Sequence, residues 1–180
     1  YQDKNQQTAY VALQVLRNYC GVEAAKESIA KGFAQVCTLT GLRGRWEVLS
    51  QNPLTICDTG HNSHGIRYVM EQLNTEIEKR KAENAKLRIV LGMVGDKDID
   101  VVLGLLPKDA VYYFTQPATS RALPAEELLS RYMILQEPCI PLCHAFRSVK
   151  DALAAAQKDA SKEDIIFIGG SNYVVGEVLV

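Results

Sequence analysis

No run of residues in this 180-residue chain approaches the roughly 20 apolar residues that cross a bilayer, so no membrane-spanning helix is expected. Charge of one sign is missing too. Twenty lysines and arginines against 21 aspartates and glutamates leave a formal net charge of -1. That removes the global attraction that nucleic acid or an anionic membrane would exploit. Paired cysteines are lacking. The five present (Cys20, Cys37, Cys57, Cys139, Cys143) are odd in number and mostly lie in apolar runs. They read as buried free thiols in a reducing compartment. The opening Tyr-Gln-Asp-Lys-Asn-Gln-Gln has no signal-peptide character. Without an initiating methionine, a piece of something longer is expected. Internal repeats and low-complexity segments are absent as well.

Three chemical signatures are also missing. Nowhere is there a Gly-x-x-x-x-Gly-Lys-Ser/Thr phosphate loop. Gly169-Gly-Ser-Asn-Tyr-Val-Val-Gly176 lacks the glycine spacing and the downstream acidic residue of a dinucleotide fingerprint. Cys139, Cys143 and His144 do not have zinc-knuckle spacing, and no second cysteine pair supports them, so no metal site is expected.

What is there is an ordinary globular composition, 47% hydrophobic and 23% charged. Residues 5–20 predict a helix with Ala9, Ala12, Leu13, Leu16 and Tyr19 on its apolar face and Gly21 as the stop. A second helix fits Glu23 to Phe33. From Gly41 the texture changes to alternation. Strands are predicted at Trp46–Leu49, Leu54–Cys57, Leu87–Met93, Ala110–Thr115, Cys139–Ala145 and Asp164–Ile168. The turn at residues 50–53 makes the first two antiparallel, and Pro141 marks an edge strand. Helices fall between the others, at about residues 65–80, 98–106, 124–132 and 148–158. Another short helix starts at Asn172. Asp98 and Ser148 stand as their caps. The fold class is therefore α/β: a Rossmann-like, mostly parallel sheet of about six strands, with helices on both faces and one antiparallel strand.

In such a sheet the loops at the carboxyl ends of the strands converge and bind ligands. Four loops should meet there and bring Asp58, His61, Asn62, His64, Asp96, Lys97, Arg121 and Ser171 together. Arg45, just before the first strand, could reach the same edge. This mixed-charge set suits a charged small molecule or phosphates. Plainer readings stand beside it. Asp58 with His61 three residues on also fits a hydrogen bond that fixes the turn. Gly169-Gly-Ser171 also fits a tight turn and a helix cap, and Lys97 between two aspartates fits a solvated turn.

Gly44-Arg45-Trp46-Glu47, followed by Asp58-Thr-Gly-His61-Asn62, resembles the C-terminal domain of folylpolyglutamate and dihydrofolate synthases, in the Mur-ligase-like superfamily. The pattern there is Gly-Arg-aromatic-Glu, a strand, then Asp-x-Ala-His-Asn-Pro. The likeness continues at Gly92-Met-Val-Gly-Asp96-Lys97-Asp98 and at Ile168-Gly-Gly-Ser171, and at the front in Gln2, Asn5 and Thr8-Ala9. Gly60 stands in place of alanine and Ser63 in place of proline, where Ser63 can cap the following helix.

The resemblance implies an ATP-dependent amide ligase of the cytoplasm. It would activate a folate or dihydropteroate carboxylate as an acyl phosphate, which the amine of L-glutamate attacks. It implies that Asn5, Arg45 and Asp58 contact ATP, that His61 and Asp58 are catalytic, and that Lys97 and Ser171 orient glutamate. It places the phosphate loop and the Mg2+ ligands in an N-terminal ATPase domain of the same protein. Residues 1–40 would then be the last helices of that central domain, and 41–180 the C-terminal ligase domain, inactive alone. A monomer is expected, with no nucleic-acid or membrane partner. A peptidoglycan-precursor ligase of the same superfamily, or a non-catalytic Rossmann-like binding module, are the competing readings.

Overall fold

The computed structural model describes residues 3–80, 85–95, 98–136 and 142–180. Asp96, Lys97 and Cys139, all singled out above, lie outside the described residues. The chain divides into two compact units, Tyr1–Arg43 and Gly44–Val180.

The first unit is helical: α1 (Asp3–Cys20), α2 (Lys26–Ala34) and α3 (Val36–Thr40). Gly41 ends α3 in the left-handed region at φ 68°, donating its N–H to the Cys37 carbonyl. That is the geometry glycine adopts without a Cβ penalty. No residue of α2 or α3 is buried. An apolar groove of about 540 Å³ runs within this unit, lined by Ala12, Leu13, Leu16, Ile29 and Phe33 among others.

The second unit carries the site. Its elements run β1 (Glu47–Gln51), β2 (Leu54–Cys57), α4 (Ser63–Arg80), β3 (Leu87–Leu91), α5 (Ile99–Gly104) and β4 (Val111–Thr115). Then come α6 (Ala125–Gln136), β5 (Cys143–Phe146), α7 (Val149–Asp159), β6 (Ile165–Gly169) and α8 (Asn172–Val178). The described strands form one six-stranded sheet in the order β1-β2-β6-β3-β4-β5. β1 pairs antiparallel with β2, and every other pair is parallel.

Period-two alternation sends side chains of each central strand to opposite layers. Ile89, Leu91, Tyr112, Phe114, Ile165 and Phe167 join residues of α4, α5 and α6 in one core. Val90, Tyr113, Ile166 and Ile168 pack with α7 and α8 in the other. Strands buried on both faces need continuous apolar sequence, which is why β3, β4 and β6 are fully buried. β6 lies between β2 and β3. The chain leaves the centre through α4 on one layer and returns through α7 on the other. The loops after β2, β3 and β6 therefore splay apart at the carboxyl edge and leave a crevice.

At the opposite edge the polar groups close on one another. Asp164 accepts from Arg88 Nε at 2.8 Å, from the Lys86 N–H at 3.0 Å and from Ser161 Oγ at 2.9 Å. Arg88 donates again to the Tyr113 hydroxyl at 2.9 Å, which donates to Asp159 at 2.9 Å. Burial pushes the Asp164 carboxyl up, but bonds from the Lys86 amide, Arg88 and Ser161 outweigh it and hold it below the usual carboxylate range.

Several local expectations change. The Asp98 side chain makes no cap bond on α5, whereas Ser148 accepts the Asp151 N–H as expected. The predicted helix near Tyr132 runs on to Gln136, because Met133-Ile-Leu contains no breaker. Of the four described cysteines only Cys57 is buried. Cys20 and Cys37 are exposed in the helical unit. Burial pushes the Cys143 thiol up to about 11.

Candidate functional site

The site grows from the end of β2. Asp58 continues the strand by one bond, its N–H donating to the Ile168 carbonyl at 3.1 Å. Its side chain is 0% exposed. One carboxylate oxygen accepts the Gly60 N–H at 2.7 Å and the other the Trp46 N–H at 2.8 Å. A single buried carboxylate thus joins the loop after β2 to the turn before β1.

That turn is strained. Trp46 has φ 46°, a region a side chain rarely adopts. Gly44 has φ 72°, and a Cβ there would lie 2.7 Å from the Val175 side chain, so only glycine fits. The left-handed tryptophan costs on the order of 1–2 kcal/mol. A hydrogen bond to a charged group contributes about 1.5–3 kcal/mol. The Asp58 carboxylate is therefore strong enough to hold the turn. The Glu47 carboxylate adds a bond from the Gly44 N–H at 2.7 Å, and the Thr59 N–H donates to the Gly44 carbonyl at 2.9 Å. Arg45 lies exposed on this turn.

In the loop after β2, His61 Nδ1 sits 2.9 Å from the Thr59 carbonyl. A carbonyl oxygen only accepts, so Nδ1 carries the proton and neutral His61 presents Nε2 as an acceptor. Asn62 is the cap of α4: its Oδ1 accepts the Gly65 N–H at 2.8 Å, and its carbonyl accepts the Ile66 N–H. The cap is thus one residue earlier than the Ser63 read from the sequence. His64 makes an edge-on contact with Tyr68, at 4.9 Å between ring centres.

The loop after β4 is tied to the end of β3. The Gly95 N–H donates to the Arg121 carbonyl at 3.0 Å and the Leu123 N–H to the Met93 carbonyl at 2.9 Å, with a bridge between Val94 and Ala122. These ties set Arg121 at the rim. Beyond β6, the Ser171 side chain is 2% exposed and accepts the Val174 N–H at 3.2 Å as the cap of α8. A hydroxyl used as an acceptor still has its proton to donate.

A cleft of about 370 Å³ opens between these loops, lined by His61, Val94, Arg121, Ser171, Asn172 and Tyr173. The structure thus brings His61, Arg121 and Ser171 together, puts Asp58 behind them in the protein, and leaves Arg45 on the adjoining turn. Asn5 lies in α1 of the helical unit. Val94, Asn172 and Tyr173 were not singled out from the sequence. For Tyr173 a signal existed, since it falls in the first turn after the Gly-Gly-Ser cap. A guanidinium, an imidazole acceptor and a hydroxyl fit an anionic ligand that also carries donors. Among the described residues no group of three or more His, Cys, Asp or Glu is placed to hold a metal ion.

The fold and the cleft define an α/β domain with a polar cleft at the carboxyl ends of its parallel strands. Residues 44–172 match the family described as Mur ligase, glutamate ligase domain, and the chain belongs to that family. The chain is 30% identical over 175 residues to the dihydrofolate synthase/folylpolyglutamate synthase of Escherichia coli K12, covering 97% of this chain and 37% of that protein. It therefore spans little more than a third of that relative. Among solved structures it is similar to E. coli FolC in complex with DHPP and ADP, with TM-score 0.78 and 29% identity, covering 97% of this chain and 37% of the other. It is also similar to a bifunctional folylpolyglutamate synthase/dihydrofolate synthase with Mn, AMPPNP and L-glutamate bound, with TM-score 0.73 and 28% identity, covering 92% and 37%.

Proposed function

We propose that this chain is the C-terminal part of an ATP-dependent amide ligase that joins L-glutamate to a folate or dihydropteroate carboxylate. The observation that carries the reading is the cleft shared by His61, Arg121 and Ser171 in a glutamate ligase domain. The cation and the donors suit a dicarboxylate, and the His61 acceptor suits its amine. ATP supplies the phosphoryl group that turns the substrate carboxylate into an acyl phosphate. The glutamate amine then attacks the acyl carbon, phosphate leaves and the amine loses a proton.

Within this reading Arg45 and Asn5 contact the nucleotide. An arginine on an exposed turn can reach a transferring phosphoryl group when a cleft closes over it. His61 is the catalytic-site imidazole, and Lys97, Arg121 and Ser171 orient glutamate. The phosphate loop and the Mg2+ ligands belong to the part of the relatives that this chain does not span, and the N-terminal ATPase domain is its partner. Residues 1–43 belong with that ATPase domain. No helix among the described residues is long and apolar enough to cross a membrane, and the reading has the protein act as a monomer in the cytoplasm.

The test is ligation by the intact protein. Glutamate added to folate or dihydropteroate, with matching ADP release, is the expected result, and the 180-residue chain alone is expected to show none. Ligation by the chain alone, or activity of the intact protein only on peptidoglycan precursors, overturns the reading. Arg121→Gln is expected to raise the KM for glutamate about tenfold or more while the KM for ATP holds, since it removes a charge-assisted bond.

A further inference from the structure

Glu177 lies away from the cleft lining. It stands one residue from the end of α8, with its side chain exposed. That is a poor place for a carboxylate. The carbonyls at a helix C-terminus favour a cation, and α8 has no basic residue in its last turn. Helix stability therefore does not account for Glu177. Its contact does account for it. One carboxylate oxygen accepts the Ala118 N–H at 2.6 Å, across 59 positions of sequence. A short bond from an amide to a charged oxygen is one of the stronger kinds.

Ala118 belongs to the loop after β4, which carries Arg121. Both ends of that loop are fixed. At the start, the Gln116 side chain accepts the Ala125 N–H of α6 at 3.3 Å. At the finish, the Arg121 carbonyl accepts the Gly95 N–H beyond β3. Glu177 ties the middle of the loop to α8. The same helix is capped by Ser171, which lies roughly 9 Å from Glu177 along the axis at ~1.5 Å per residue. Arg121 and Ser171 both line the cleft. One short helix thus starts at one of them and holds the loop of the other near its end.

We propose that Glu177 is a positioning residue: its carboxylate holds the loop after β4 against α8 and so sets the span between Arg121 and Ser171 across which glutamate is bound. The inference rests on the ligase reading, which puts glutamate on those two residues. Glutamine at this position keeps an oxygen acceptor with the same reach, and alanine keeps none. Alanine is also a strong helix former, so Glu177→Ala is expected to fold.

The first arm of the test is amide hydrogen exchange on the 180-residue chain. Glu177→Ala is expected to speed exchange at Ala118, and Glu177→Gln to leave it near the wild-type rate. Unchanged exchange at Ala118 in Glu177→Ala overturns the inference. The second arm is kinetics of the intact protein. Glu177→Ala is expected to raise the KM for glutamate about three- to tenfold, the scale of one lost hydrogen bond, with kcat and the KM for ATP within about twofold of wild type. Glu177→Gln should bring the glutamate KM back to within about twofold. A fall in kcat at constant KM marks a structural role alone and sinks the inference. So does an equal rise in KM for both variants, which means that the charge itself acts on the ligand. With Arg121→Gln already present, Glu177→Ala should cost little more, because its effect passes through the Arg121 loop. Losses that multiply overturn it.

The two readings fail separately. An intact wild-type protein that ligates no glutamate overturns the ligase reading and takes the inference with it. An active wild type whose Glu177→Ala variant keeps its glutamate KM overturns the inference alone.

Discussion

Asp164 lies just before β6, at the edge where the parallel strands begin, and Asp58 just after β2, where they end. Both are buried. Asp164 is paired: the Arg88 guanidinium, itself 8% exposed, reaches it across the sheet and is held in turn by Tyr113. Asp58 is bound by backbone, with one amide from each of two segments. The difference separates two uses of a buried charge. At the amino edge a cation is drawn inside and the charges are matched within the protein. At the carboxyl edge the carboxylate organises loops, while Arg45 and Arg121 stay exposed. One edge is locked by a buried ion pair, and the other carries its arginines on exposed loops.

Breaking the locked edge should cost most. Arg88→Met is expected to destabilise the chain by about 3–5 kcal/mol, since it strands a buried carboxylate. Urea unfolding at neutral pH measures it, and a loss under about 1 kcal/mol would mean that the pair is not what closes this edge. The same pair gives acid sensitivity. The folded Asp164 carboxyl lies below its ordinary value. Its stabilisation is therefore complete above the unfolded value near ~3.9 and is lost as pH falls through the folded value. Asp164→Asn should flatten the fall of stability in that acid range.

At the open edge Asp58→Asn should cost less, about 1–3 kcal/mol, because one backbone amide is left facing a donor. A loss larger than that of Arg88→Met would reverse the comparison. Ser171→Ala removes the α8 cap and is expected to cost about 1 kcal/mol, read as a shift in the urea midpoint. Gly60→Ala should change least, within about 1 kcal/mol. Alanine narrows the unfolded ensemble, and the new Cβ would lie 3.0 Å from an Asp58 oxygen and 3.4 Å from Val69.

The sheet was legible because its central strands are buried on both faces and so carry unbroken apolar runs, as in Leu87–Leu91 and Ile165–Gly169. The antiparallel β1–β2 pair followed from the turn between them. Helix α3 escaped, being five residues long with no side-chain cap to announce it, although Gly41 was a usable stop signal. The loops of the cleft were found by topology, and so were His61, Arg121 and Ser171. The direction of a strand-end side chain is another matter. Residue type and spacing make Asp58 equally good as a ligand contact or as a turn fixer. Only the path of residues 44–46, with φ 46° at a tryptophan, shows which amides its oxygens meet.

Trp46 is also the one tryptophan of the chain. Its amide is tied to Asp58 and its indole packs at the border of the core. Light absorbed selectively by indole therefore watches this turn and no other part of the chain. A change in emission on adding nucleotide or glutamate would report movement beside Arg45 without any label, so the protein carries its own optical gauge at the rim of the cleft.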